Sequence, residues 1–565
     1  MGLMRIVLII GLLSLSLSSC TGLIDGPRPE PAPEQVSAAG EEPTRPSTVT
    51  PATVVTQLPD QPGPTTPAGP PVFPRAGIRR LTAAELQAAT TALLGVPAPE
   101  LATAMGSDMR QSGFTRNADQ RVGSVQADAL WQAAQALAHD AVVARLAALA
   151  PCASAAGGEG CAQTFIRAFA AHAFRRTVTP AEETALLTVY RAGQNGSTYA
   201  TGIELTIAAV LQSPSFLYVT ELGGAVNGET TTLSGEEIAT ELALLLTGAP
   251  ADEALMAAGR TGALSTATGR ETAARALLAT PAAHQQVGRL VLEWTGADTA
   301  ESLGKDTTLF PEWPLVRTDM QAESRAIVDT VLFGGDGTLE SLLSTSNTVV
   351  TPALAQFYGL TGSGPMTQPA HRRGLLLTGG FAAANAHFAD TAPMKRGAVV
   401  RKKLLCQELP LPSAVGVNIV VPAPDATLTT RERFAAHSAN PTCAGCHKML
   451  DPIGFALESF DAVGRYRTME NGKPIDASGE LLNAGDAEGA FTDAVGLSAL
   501  LAKSKTVARC FQQHLFRFAA GRSGAEEERT FVDFVRNRAS GRDGKILELL
   551  VDYAQSDSFV TRRLQ

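Results

Sequence analysis

The chain has 565 residues, 45% of them apolar and 18% charged, a length that suits roughly three or four domains and a large buried core. Forty-six Lys and Arg against 55 Asp and Glu leave a net charge of -9, which argues against the clustered basic surface of a nucleic-acid binder. Seven cysteines are too few for a disulfide-built miniprotein, and their odd number asks for one with a separate role.

In chain order, Arg5, an apolar run from Ile6 to Leu17 and small residues up to Cys20 read as a secretory signal peptide over residues 1–19. The run is too short to span a bilayer as a mature helix. Leu17-Ser18-Ser19-Cys20 resembles the lipobox of bacterial lipoproteins, which implies that Cys20 becomes a lipidated first residue. An ordinary secreted protein with an incidental cysteine is the alternative. Residues 21–74 hold 14 of the 34 prolines among Thr, Gln and Gly, so 20–74 is expected to be a lipid anchor with a disordered tether. The expected location is the cell envelope, on the periplasmic or outer-membrane face, with the membrane as a partner through the lipid.

After Arg75 the pattern is overwhelmingly helical. Thr82-Ala83-Ala84-Glu85, Thr179-Pro180-Ala181-Glu182 and Ser234-Gly235-Glu236-Glu237 read as capping boxes. Long helices are predicted around 126–149, 162–174, 180–193, 198–212, 235–247, 314–333, 392–406, 504–520 and 541–555. Punctuation rich in Gly, Pro, Ser and Thr suggests helical domains over 75–150, 151–228 and 229–362, a further domain over 363–485 and a C-terminal helical domain over 486–565. Asn471-Gly472 predicts a β-hairpin. Leu211-Gln212-Ser213-Pro214-Ser215-Phe216 and Ala554-Gln555-Ser556-Asp557-Ser558-Phe559 echo each other at two helix ends.

Cys443-Ala444-Gly445-Cys446-His447 carries the specific chemistry. Two thiols three positions apart can form thioethers with the vinyl groups of one haem c, and the following His447 is then held as proximal ligand. A zinc site would want two further closely spaced ligands, and a thioredoxin-like pair would want a βαβ setting; both remain alternatives. Of the other cysteines, Cys152 and Cys161 bracket a short Gly-rich step and invite a disulfide, and Cys406 and Cys510 pair by elimination unless they are buried free thiols.

Arg431-Glu432-Arg433-Phe434, the Cys443 to His447 motif, Asp451-Pro452-Ile453-Gly454-Phe455, Glu458, Phe460-Asp461 and Gly464-Arg465-Tyr466-Arg467 resemble a multi-domain family of exported bacterial proteins. That family is built from a fixed series of domains of unknown function, DUF1587, DUF1595, DUF1592, DUF1588 and DUF1585, with a cytochrome-c-like segment. Arg79-Arg80-Leu81-Thr82, Phe174-Arg175-Arg176, Ser213-Pro214-Ser215-Phe216, Leu233-Ser234, Arg373-Gly374-Leu375-Leu376, Pro393-Met394-Lys395-Arg396-Gly397 and Gly521-Arg522 fit the same series. The resemblance implies a mainly α, multi-domain fold whose cytochrome-c-like helical module contains a short β-hairpin.

Reading the same residues physically, Asp451-Pro452 suits a helix stop, and Gly454 and Gly464 would let backbone approach a flat ring. Arg465 and Arg467 either neutralise haem propionates or are solvated. Met469, Met394 and His387 are the candidates for a distal iron ligand, with His437 a further rival and an open sixth position the alternative. Met449 is too close in sequence to His447 for that role. Elbow, P-loop and dinucleotide motifs are missing, and no catalytic residue is nominated. His172 and His514 read as core histidines, and the acids Glu182-Glu183 and Glu526-Glu527-Glu528 as solvated. The expected activity is one-electron transfer to an unknown redox partner protein, without nucleic acid. The alternatives are a haem-dependent oxidoreductase, peroxidase-like or acting on a polymer-derived substrate, and a surface scaffold with incidental haem.

Overall fold

The computed structural model describes residues 69–151, 158–409, 422–423, 425–438, 441–538 and 544–564. The expected signal peptide, Cys20, the tether up to residue 68, Cys152 and residues 410–421 lie outside the described residues. Among them no helix is long and apolar enough to cross a membrane. The chain is mainly α with a few short strands, as its periodicity predicts.

Strand β1 (Gly77–Arg80) leads into helix α1 (Ala83–Leu94), started by the Thr82/Glu85 capping box and stopped by Gly95 in the left-handed region. Helices α2 (Ser124–Leu149), α3 (Glu159–Phe174), α4 (Pro180–Gln194) and α5 (Tyr199–Gln212) pack around Leu86, Leu137, Ile166, Leu187 and Leu211. One helical turn later, β2 (Tyr218–Glu221) returns antiparallel to β1. Strands β3 (Val226–Asn227) and β4 (Thr230–Thr232) follow.

The second core is larger and continuous. It draws on α6 (Gly235–Thr247), α7 (Ala267–Leu278), α8 (Pro281–Thr295) and α9 (Trp313–Leu332), then β5 (Asn347–Val350) and β6 (Gly364–Thr367) form a hairpin beside it. It continues through α10 (Gly379–Ala384), α11 (Pro393–Leu404), α12 (Thr430–Ser438) and α13 (Pro441–Ala456). Two small hairpins come next, β7 (Met469–Glu470) with β8 (Lys473–Pro474), and β9 (Gly479–Leu481) with β10 (Gly489–Phe491). Helices α14 (Lys505–Ala520), α15 (Ala525–Arg536) and α16 (Ile546–Gln555) complete it, with β11 (Thr561–Arg563) pairing back onto β4. Trp294, Leu404, Leu457, Phe511, Phe516 and Tyr553 all belong to this one core.

The N-terminal helices are joined to the rest by buried charge. Arg79 pairs with Glu85 at 2.7 Å, Arg116 with Glu85 and Glu241, and Arg562 with Glu221 at 2.5 Å. Buried arginines need such partners, and these come from sequence positions up to 341 residues apart. The end of the expected tether also lies on the body: Val72 N–H donates to Thr530 Oγ1, and Arg563 N–H to the Pro74 carbonyl.

The sequence echo marks one local structure used twice. In each copy a helix ends at a serine, a single turn follows, and a strand begins, giving α5 to β2 and α16 to β11. Helices α7 and α15 were not predicted, because each buries only a thin stripe, Arg270, Ala274 and Leu278 in one and Glu528, Phe531, Val532 and Val535 in the other.

Candidate functional site

Helix α13 carries the motif on its first two turns, with Cys446 and His447 both half-buried. The Cys443 side chain lies outside the described residues, and Cys446 is the one free cysteine among them. His447 Nδ1 and Asp451 Oδ1 are 2.8 Å apart, an i,i+4 pair on one helix face. A carboxylate at Nδ1 fixes the ring's tautomer and orientation. Arg431 stands close enough to Asp451 for charge attraction, and its guanidinium lies 4.7 Å over the Phe455 ring.

Helix α13 does not stop at Asp451-Pro452 as expected; it runs on through Pro452 to Ala456. An internal proline forfeits a backbone hydrogen bond, costing about 3 kcal/mol. Close packing on α11 and β9 outweighs that cost. A Cβ on Gly454 would lie 2.2 Å from the Pro393 carbonyl oxygen, and one on Gly397 2.4 Å from that of Leu450. Gly464, at φ +82°, meets the backbone of Gly379 in the same way. Both Gly454 and Gly464 therefore approach protein backbone, not the flat ring anticipated for them.

Two buried arginines fasten this packing. Arg396 donates to the carbonyls of Leu457, Phe460, Asp461 and Ala382 at 2.7 to 3.2 Å and pairs with Glu458 at 3.4 Å. Arg401 donates to the Met449 carbonyl at 3.0 Å, and burial pulls its guanidinium down to about 10. The contacts Pro393 to Gly454, Gly397 to Leu450 and Arg401 to Met449 run antiparallel. Met394 therefore stands beside the C-terminal half of α13, roughly 10 Å along the helix from His447 at 1.5 Å per residue. The other end of α11, with Cys406 just beyond, lies toward the motif.

Met469 sits on β7 at 50% exposure, in the hairpin predicted around Asn471-Gly472. That hairpin is latched to α12: Thr430 N–H and Oγ1 donate to Glu470, and Lys473 pairs with Glu432. His387 is exposed, with its carbonyl accepting from Lys305 Nζ at 2.7 Å. Arg467 pairs with Glu458 and Glu470; Arg465 pairs with Glu312 and lies 5.0 Å over the Phe357 ring. Met449 Sδ takes a long contact from Asn483.

Away from the motif, the Cys406–Cys510 disulfide is formed. Cys161 lies near the start of α3, with Sγ 3.1 Å from Tyr199 Oη. His514 is buried, as expected, but His172 is largely exposed and faces Glu253 at 3.8 Å, because its helix turns that side to solvent. Glu528 is likewise not solvated: it is buried and takes both bonds of Arg517. Sequence reasoning missed Asp451 as the partner of His447. The i,i+4 spacing would have found it, had the proline not been read as a stop.

A mainly α chain in several packed helical modules, with a Cys-x-x-Cys-His helix clasped by buried arginines, defines the class. Family models match five stretches in succession: DUF1587 over residues 79–143, DUF1595 over 161–221, DUF1592 over 233–360, DUF1588 over 372–470 and DUF1585 over 488–559, each described as a protein of unknown function. The chain has this five-domain architecture, and the Cys443 to His447 motif falls within the DUF1588 match. No curated protein and no solved structure matches it.

Proposed function

We propose that the chain is an extracytoplasmic c-type cytochrome-like protein that binds one covalent haem and passes single electrons to a partner protein. The observation that carries the reading is the Cys443-Ala444-Gly445-Cys446-His447 motif opening α13, with Asp451 holding His447 by Nδ1. The residues fit the group: a reduced Cys446, a half-buried imidazole and a carboxylate that orients it. Cys443 and Cys446 would anchor the haem, and His447 would be its proximal ligand. A haem supplies a one-electron couple whose potential follows its axial ligands and burial.

The chain's own residues set that environment. Asp451 keeps His447 in one tautomer, Arg401 and the Gly397/Gly454 packing fix the helix that carries it, and Arg431 supplies positive charge nearby. The signal-like N-terminus and Cys20 support export and a lipid anchor on the cell envelope, with the tether reaching the body at residue 69. Full-length protein made in a host with c-type maturation should show Soret and α bands and retain haem stain on a denaturing gel. Cys446→Ala should shift the pyridine haemochrome spectrum to that of a single thioether. Absence of both bands and stain refutes the reading. A low-spin iron inert to cyanide fits an electron carrier; a high-spin iron that reacts with peroxide moves the assignment to a haem oxidoreductase.

A further inference from the structure

Cys510 and His514 lie one turn apart on the buried face of α14, and Cys406 meets them from just beyond the end of α11. The two sulfur atoms and a ring nitrogen of His514 all lie within 4.8 Å of one another. His514 is 1% exposed; its Nε2 faces the Lys402 carbonyl at 3.4 Å, and its Nδ1 is buried with no hydrogen-bond partner among the described residues. With Nε2–H facing that carbonyl, Nδ1 carries a buried lone pair that no hydrogen-bond donor among the described residues satisfies, on a ring that lies against two sulfurs. Burial, reinforced by Arg517 and Lys403, holds the imidazole well below its ordinary range, so it is a neutral ligand at pH 7.

We propose that, when the Cys406–Cys510 disulfide is reduced, Cys406, Cys510 and His514 form a three-ligand site for Zn²⁺. A dithiol reductant gives two electrons and two protons, becoming its own disulfide, while the Cys406–Cys510 bond opens to two thiols. Zn²⁺ then displaces both thiol protons. Thiolate and imidazole donors suit zinc, whose bonds of about 2.3 and 2.1 Å hold donors roughly 3.5 to 3.8 Å apart, within reach by side-chain rotation. The Lys402 carbonyl would orient the ring, Lys403 and Arg517 favour the thiolates, and half-buried Cys406 gives the ion its way in. The disulfide and the metal site are thus two alternative fastenings of the same junction.

The test uses the full chain carrying Cys152→Ala, Cys161→Ala, Cys443→Ala and Cys446→Ala, which removes the other two cysteine pairs. After phosphine reduction without oxygen and removal of the phosphine, Co²⁺ is titrated as a spectroscopic stand-in for Zn²⁺. Thiolate-to-cobalt charge-transfer and tetrahedral ligand-field bands should saturate at one equivalent, bleach on adding Zn²⁺, and be missing from the oxidised chain. Cys510→Ser should abolish the bands, and His514→Ala should weaken binding at least ~10-fold. The oxidised-against-reduced comparison involves no substitution at the site and carries the test if either variant fails to fold. Absence of the bands on reduction, their persistence in folded Cys510→Ser, or loss of helical circular dichroism on reduction overturns the proposal.

Discussion

Asp451 acts on His447 through a single hydrogen bond, and the bond's position decides what it does. A carboxylate at Nδ1 makes the imidazole a stronger donor at Nε2 and stops the ring from turning. Asp451→Asn keeps the shape and removes the charge, so a haem-loaded variant should show a higher midpoint potential, read by redox titration. Asp451→Ala should in addition broaden the axial-ligand signals in the paramagnetic resonance spectrum. Unchanged potential and spectra in both would mean that the carboxylate has no hold on the ring.

At the scale of elements, α13 is placed by glycine. Gly397 and Gly454 bring α11 and α13 into backbone contact, and Arg396 and Arg401 then reach carbonyls that ordinary side-chain spacing would put out of range. Gly454→Ala places a methyl 2.2 Å from the Pro393 carbonyl oxygen, so the helices must part. The expected loss is about 1 to 3 kcal/mol, measured by denaturant unfolding. Gly445→Ala, on the same helix with open space around it, should fall within about 0.5 kcal/mol of the parent. A Gly454→Ala variant as stable as Gly445→Ala would show that the close approach is not real.

For the whole molecule, the buried arginine and glutamate junction sets the response to acid. Burial pushes the Glu85 carboxyl up, but Arg79 and Arg116 outweigh it and bring it down to about 2; Arg562 and Arg522 do the same for Glu221. A carboxylate depressed on folding stabilises fully above its unfolded value, here 4.5, and that stability is lost as the pH falls toward its folded value. Each such shift corresponds to about 3 kcal/mol. The contribution of these two carboxylates should therefore be level from pH 7 to about 5 and fall steeply between 4.5 and 2, steepening the acid limb of the unfolding free energy there. Glu85→Gln should lose about 3 to 5 kcal/mol at neutral pH and flatten that limb. The shared core makes a second prediction: residues 372–470 made alone would expose Leu377, Phe381 and Leu457 and bind a hydrophobic dye. A monomeric, dye-free fragment with a sharp melt would refute it.

Most helices, their caps, the Asn471-Gly472 hairpin and the Cys443-x-x-Cys446-His447 motif were legible in the sequence, because each is written in residues within a few positions of one another. The same locality explains the repeated turn at Ser213 and Ser556, where a short echo codes the same short structure. Local rules failed where long-range packing overrode them. Pro452 is a stop signal by itself, and only the contact with α11 and β9 carries the helix past it. Gly454 and Gly464 announce close approach without saying to what, since a missing Cβ names no neighbour. Glu241 and Glu221, the partners of Arg116 and Arg562, are far away in sequence, and no periodicity encodes them. Sequence determined the elements and the chemistry of the motif; the tertiary structure decided the surroundings, because burial and charge pairing are settled only when distant segments meet.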